Sequence, residues 1–336
     1  MARAVIFSMR LLACLAIASF AIAWNHAQAQ PAPGGAVTLL VPYPPGGVSD
    51  VLARGLAPGL TQAMNRPVVV ENLSGASGSI AAARLLGNGT GSLDGSQLLV
   101  GSPTETVLAP LTIKALKYRP TDFKLLAVVY TAPLALYARP DLDARTVDDL
   151  AALARRSTGR PLAYGSPGTG SIYHIVTEKL RTTLGIEAVH VPYRGGGPML
   201  QDLMAGIIDF TMLPQDNVLG AMVDGGKLRM LGVTSDIRSA RRPDVPTLDE
   251  SAKAKGVGHP SVWVGLFVPQ AMPEPLTAQL QQTISQVLDQ GQTREALEAT
   301  GGTVPAPMNL TQARAFYAQE IRTLQDMAKA ADVQAN

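Results

Sequence analysis

The groups in this chain best suited to chemistry are backbone amides laid open by glycine. Four segments combine glycine with small hydroxyl residues: Pro44-Pro45-Gly46-Gly47-Val48-Ser49, Ser74-Gly75-Ala76-Ser77-Gly78-Ser79, Gly165-Ser166-Pro167-Gly168-Thr169-Gly170-Ser171 and Arg194-Gly195-Gly196-Gly197-Pro198. Each follows a short apolar burst and precedes a stretch with helical spacing, which places it at a strand-to-helix junction. The first N–H groups of a helix lack internal acceptors, and the aligned peptide dipoles favour negative charge there, so such a loop is an anion cradle. Glycine matters for access, because a Cβ would keep a ligand from the backbone. One such loop is usually only a tight turn; four in one chain point to a shared carboxylate-binding cleft.

The candidate ligand contacts are therefore Tyr43, Pro44, Gly46, Gly47 and Ser49 in the first loop, and Ala76, Gly78 and Ser79 in the second. Ser166, Thr169, Gly170 and Ser171 form the third set, and Tyr193, Gly195 and Gly196 the fourth. Ser102 and Asp209, near strand ends, complete the list. Glu105, after Ser102, and Asp209 suit a ligand amino group or a helix cap, and capping is the commoner use. Val41-Pro42-Tyr43 and Val191-Pro192-Tyr193 both run into paired glycines. If that echo is a repeat, each of two similar domains offers one loop to a ligand held between them, as open α/β sheets bind at strand carboxyl ends.

The common catalytic constellations are missing. At Ser166 the residue two before is Tyr164, where a serine elbow needs glycine. Gly225-Gly226-Lys227-Leu228 fails as a phosphate loop, and there is no His-Glu-x-x-His and no cysteine pair. His174 and His190 suit packing or hydrogen bonding. No cofactor or metal is expected, and the chain reads as not an enzyme.

The elements that must carry these loops follow from hydropathy. Expected strands are 37–43, 67–71, 97–101, 125–130, 134–138, 162–165, 187–192, 208–213, 228–234 and 262–268. Between them, Ser49 is expected to cap a helix that buries Leu52, Leu56 and Leu60. Asn309 with Gln312 has capping-box spacing ahead of a stripe of Ala313, Tyr317, Ile321 and Leu324. The alternation is that of an α/β protein.

At the N-terminus, Arg3 and Arg10, an apolar run from Leu11 to Ala23, and Ala27-Gln28-Ala29 read as a secretory signal peptide over 1–29 and hence as export to the periplasm. The run is shorter than the roughly 20 apolar residues a membrane crossing needs. A lipoprotein site at Cys14 would leave Leu15 to Ala23 on the mature chain and is the weaker reading. Cleavage removes the only cysteine, so stability comes from packing alone. It also leaves 26 basic and 26 acidic residues, a balance with no electrostatic footprint for nucleic acid or anionic membrane.

The ordered segments PYPPGGVSD, VVVENLSGASGSI, LDGSQLLVGS, LAYGSPGTGS, HVPYRGGGPMLQDLMAGIIDF, RRPDVPTLDE and WVGLFVP resemble the solute-binding receptors of tripartite tricarboxylate transporters, the Bug-type family, from about residue 37 onward. The resemblance implies a type II periplasmic-binding-protein fold with two α/β domains. They would cover 35–132 plus 264–336 and 141–258, joined by crossovers at 133–140 and 259–263, with a ligand cleft between them. It implies a monomer that captures a small organic acid for membrane permease subunits. Carboxylates would be held by backbone N–H groups and bridging waters around Tyr43 to Ser49, Ala76 to Ser79, Ser166 to Ser171 and Tyr193 to Gly197. The chain departs from the family pattern at Phe123 to Val129 and after Ser102, where Ala109 removes a polar contact. Glu105, if it faces the cleft, would disfavour a second carboxylate or favour an ammonium group. The alternatives are a sensor that signals to a membrane kinase and an α/β hydrolase or transferase using Ser166 or His174.

Overall fold

The computed structural model describes residues 35–87, 93–156, 160–193 and 195–331. The expected 1–29 signal peptide and Arg194 lie outside the described residues. Nine strands share one sheet. They are β1 (Val37–Val41), β2 (Val68–Asn72), β3 (Gln97–Gly101), β4 (Phe123–Ala138), β5 (Leu162–Ser166), β6 (Ala188–Pro192), β7 (Phe210–Pro214), β8 (Arg229–Val233) and β9 (Ser261–Pro269). The helices are α1 (Val48–Met64), α2 (Ser79–Leu86), a short α3 (Ala109–Thr112), α4 (Val147–Arg156), α5 (Ile172–Leu184), α6 (Gly196–Met204), α7 (Asn217–Asp224), α8 (Glu274–Leu288), α9 (Gly291–Glu298) and α10 (Leu310–Ala330).

The sheet has two halves with the same internal plan. In the first, β1 lies between β2 and β3, all parallel, and β9 runs antiparallel between β3 and the early part of β4. In the second, β5 lies between β6 and β7, all parallel, and the late part of β4 runs antiparallel between β7 and β8. Each half thus reads second, first, third, crossing strand, fourth. The carboxyl ends of the parallel strands, where the glycine loops begin, share one edge in each half.

Both faces of each half are covered, which is why the strands are apolar runs rather than alternating patterns. Leu40, Leu99 and Phe267 bury one face of the first half, with Ala81, Leu85 and Tyr317 from the helices. Leu39, Val41, Leu98 and Val100 bury the other against Leu52, Leu56 and Leu60 of α1, and a fully buried leucine contributes about 1.5–3 kcal/mol. In the second half, Tyr137, Met199, Leu203 and Met230 form the core under α6 and α7. α10 packs on β4 and α5. Its start is the expected capping box, with Asn309 and Gln312 exchanging 2.9 Å bonds.

Three expectations need correction. The strands expected at 125–130 and 134–138 are one strand, β4. It runs through Pro133 because its pairing there changes from β9 to β7, and the Pro133 carbonyl accepts the Gln215 amide at 2.9 Å. Ser49 does not cap α1: the cap is Gly47, with φ −73° and ψ 164°, and Ser49 is buried in the first turn. The Val-Pro-Tyr echo is no repeat either. Val41 ends the central strand β1, whereas Val191 lies on β6, which among the described residues pairs with β5 alone. Both segments bring a strand end into a glycine turn at different places in the plan.

Candidate functional site

The first loop is held shut from below. Asp50, 3% exposed, accepts the Gly46 amide at 2.9 Å, Arg54 Nε at 3.0 Å and Asn72 Nδ2 at 3.0 Å. The Arg54 guanidinium, with the Gly46 and Asn72 donors, holds the Asp50 carboxyl down at about 2. Gly47 N reaches Pro44 O at 3.3 Å. The two amides expected to face a ligand are therefore committed to the loop. Those of Val48 and Ser49, one residue further into α1, meet no acceptor among the described residues, which is the normal condition of a first helical turn. Pro44 is exposed beside them.

The second loop carries unusual backbone. Ala76 (φ 45°) and Ser77 (φ 54°) are both left-handed, a conformation L-residues disfavour, ahead of Gly78 at φ 81°. Gly78 is required for a second reason: a Cβ there would stand 2.9 Å from Pro42 Cβ and 3.0 Å from Glu105 Cβ. Ser79 follows as the buried start of α2.

Ser102 and Glu105 lie behind these loops, after β3. Glu105 has no exposed surface, and its carboxylate accepts the Tyr43 hydroxyl at 3.0 Å, the Ser102 hydroxyl at 2.9 Å and the Ser102 amide. Burial pushes its carboxyl up to about 7. It does not cap a helix.

In the second half, Ser171 caps α5 by accepting the His174 amide at 3.3 Å, and its hydroxyl donates to Gly168 O at 2.7 Å. Gly170 N donates to His174 Nδ1 at 3.1 Å. Ser166 is fully buried, with Oγ 2.7 Å from His190 Nε2 and 3.0 Å from Gly168 O. His174 and His190 stack at 3.9 Å between ring centres, and His190 stacks on Tyr164 at 4.9 Å. Burial, then the neighbouring His174, brings His190 down to about 4; burial also lowers His174. These rings stiffen the third loop from behind, and Thr169 is left exposed at its tip. In the fourth loop Tyr193 turns away, donating to Asp202 at 2.7 Å, while Gly195 (φ 114°) and Gly196 open α6.

The two edges face each other. A Cβ on Gly168 would lie 4.0 Å from Ser77 Oγ and from Tyr193 O, and one on Gly170 would lie 2.5 Å from Thr112 Cγ2 of α3. Loops two and three thus meet across the halves, with the Tyr193 carbonyl beside Gly168, and loop one joins loop two on its own half through the Tyr43–Glu105 bond, with Ser102 behind. Asp209 does not join them. It precedes β7, at the far end of the strands, where it pairs with Arg139 at 3.0 Å and accepts the Ala163 amide at 2.8 Å. Thr112, which the glycine pattern does not mark, stands where the halves meet, and Val48, also unmarked, opens α1 after the first loop. The first-turn position of Val48 was the available signal; Thr112 carries none.

A separate cavity of about 730 Å³ opens at the β8 side, lined in part by Thr131, Asn217, Ser235, Arg238, Arg241 and Arg242. Arg238 and Arg242 pair with Glu250 and Asp224, and Arg241 donates to Asn217 Oδ1 at 2.8 Å. Among the described residues no group of three or more His, Cys, Asp or Glu side chains is placed to hold a metal ion, and no helix is long and apolar enough to cross a membrane.

The model of the tripartite tricarboxylate transporter family receptor matches residues 52–332. The chain belongs to that family. BugT of Bordetella pertussis is 31% identical over 292 residues, 86% of this chain and 87% of its own. Among solved structures, MatC (Rpa3494) of Rhodopseudomonas palustris with bound malate is 29% identical with a TM-score of 0.75, covering 88% of this chain and 99% of that one. R. palustris Rpa4515 with adipate is also 29% identical, with a TM-score of 0.79 over 90% and 99%. The Bug-type receptor fold, two α/β halves of the type II periplasmic-binding-protein plan, accounts for the repeated strand order.

Proposed function

We propose that this receptor is exported by the 1–29 signal, works in the periplasm as a monomer, and closes its two halves on a small organic acid that it delivers to the membrane subunits of a tripartite transporter. The observation that supports this reading is the approach of helix starts from the two halves, Gly168 and Gly170 ahead of α5 against Ser77 and Thr112, together with Val48 and Ser49 amides at the start of α1 that meet no acceptor among the described residues. Such amides hold a carboxylate by hydrogen bonds and helix-dipole field, without a metal. The malate and adipate of the two solved relatives suggest a dicarboxylate.

The boundaries that fit this reading are residues 35–132 plus 264–336 for one half and 141–258 for the other. The crossovers, 133–140 and 259–263, border the point where β4 and β9 pair at Pro133 and Ser261. Ligand release would then be a hinge motion at these segments. The reading includes no chemical step. The Ser166 hydroxyl is fully buried and engaged by Gly168 and His190, which supports a role in holding the third loop rather than that of a nucleophile.

The test is calorimetric titration and thermal shift of the mature chain with malate, adipate, citrate and acetate, each with and without EDTA. A diacid at about one hundred times its Kd is expected to add roughly 2.7 kcal/mol, unchanged by chelator. A shift abolished by EDTA, or none with any acid, overturns the reading.

A further inference from the structure

Glu105 stands where the three strand-end loops of the first half converge. Tyr43, from the loop after β1, donates to its Oε2 at 3.0 Å, and Ser102, after β3, donates both amide and hydroxyl. Gly78, after β2, lies against it so closely that a Cβ would come within 3.4 Å of Oε2. The side chain is wholly buried. A buried carboxylate is ordinarily matched by a cation, yet these hydrogen-bond partners are neutral.

The titratable groups that face it are phenols. Tyr43 lies on the first loop, Tyr118 donates to the Glu105 carbonyl at 2.6 Å, and Tyr173 on α5 and Tyr317 on α10 feel its charge. Burial raises all four, so they stay neutral through the physiological range. His174 and His190, behind the third loop, are lowered and are neutral above mildly acidic pH. Glu105, raised by burial to about 7, is left as the group of this set that changes charge near neutrality.

A ligand carboxylate at the Val48 and Ser49 amides brings more negative charge to the same loops. Carboxylates that share a site of low dielectric constant do not all remain ionised. We propose that Glu105 takes up one proton when the cleft closes on a dicarboxylate, and so determines the charge state of ligand that the site retains. This rests on the reading of the cleft as a carboxylate site. The proton comes from solvent and returns to it when the ligand leaves. While ionised, Glu105 is acceptor-only and holds the Tyr43 and Ser102 hydroxyls; once protonated it becomes a donor, and one of those hydroxyls is free to turn to the ligand. Glu105 is a positioning residue that acts through Tyr43 and Ser102.

The experiment is calorimetric titration of the mature chain with malate at about pH 6 and about pH 8, in two buffers of different ionisation enthalpy. The difference in heat gives the protons taken up. At the higher pH the expected uptake approaches one proton, and the affinity falls toward tenfold per pH unit. Glu105→Gln is expected to bind with no uptake and a flat pH profile. An infrared carboxyl band that appears on adding malate at the higher pH reports the same proton in the parent protein, should the variant not fold. Malate binding without proton uptake overturns the inference and leaves the carboxylate site standing. No heat with malate, adipate or any other diacid at either pH overturns both.

Discussion

Gly170→Ala separates the stability of the third loop from the closure of the cleft. Gly170 has φ 76°, and a Cβ would come 2.5 Å from Cγ2 and 2.7 Å from Cβ of Thr112. The left-handed φ costs an L-residue about 1–2 kcal/mol whether the halves are apart or together. The Thr112 overlap arises only when they meet, and overpacking of this kind costs about 1–3 kcal/mol. Urea denaturation of the ligand-free variant should therefore show the first loss, and calorimetry with malate the second, as an affinity roughly 5- to 150-fold weaker. Thr112→Gly removes both atoms nearest the new Cβ, so the double variant should regain affinity without regaining stability. Gly196→Val is the contrast. Among the described residues nothing lies within 4 Å of its Cβ position and its φ is not left-handed, so it should melt with the parent while its side chain at the first turn of α6 obstructs binding. Equal losses of stability and affinity in Gly170→Ala, with neither returned by Thr112→Gly, would refute the assignment of this contact to closure.

Two further outcomes concern the carboxylates beneath the first loop. Asp50→Asn should cost about 1–2 kcal/mol at neutral pH, a figure reduced for the solvent around Arg54, whose side chain is 56% exposed. Because the folded pKa is depressed from 3.8 to about 2, that stability is present above 3.8 and lost as pH falls toward 2. Parent and variant should thus converge in acid denaturation, and a gap constant with pH would count against the ion pair. Glu105 has the opposite sign: its folded pKa is raised from 4.5 to about 7, so its contribution is full below 4.5 and lost as pH rises through 7. Urea denaturation of the free parent should lose about 3 kcal/mol over that window relative to Glu105→Gln. Parallel profiles would place the ionisation elsewhere.

Most of the fold is legible in the sequence because each half buries both faces of its strands, and β-branched and leucine runs such as Val37 to Val41 mark them directly. The glycine loops are legible for a similar reason, since a strand end that turns at once into a helix needs residues free of Cβ. What the local pattern hides is decided across long distances. β4 continues through Pro133 because its partner changes from β9 to β7, and Pro133 alone does not say that a carbonyl acceptor is used at Gln215. Gly46 and Gly170 suggest amides free for a ligand, but Asp50 and His174 take them, and it is the Val48 and Ser49 amides that lack an acceptor among the described residues. Asp209 looked like a strand-end acid; it is at a strand's amino end, where Arg139 holds it. Glu105 could be noticed but not placed, because its burial depends on Tyr43, Gly78 and Ser102, which come from three separate loops.

A ligand carboxylate held on backbone amides where the two halves meet is read out amide by amide, by NMR titration of the isotope-labelled chain with malate. The largest shifts are expected on Val48, Ser49 and Thr169, with smaller ones spreading to Ser77 and Gly170. Shifts centred instead on Ser235 to Arg242, around the separate cavity, with Val48 and Ser49 unmoved, would contradict it.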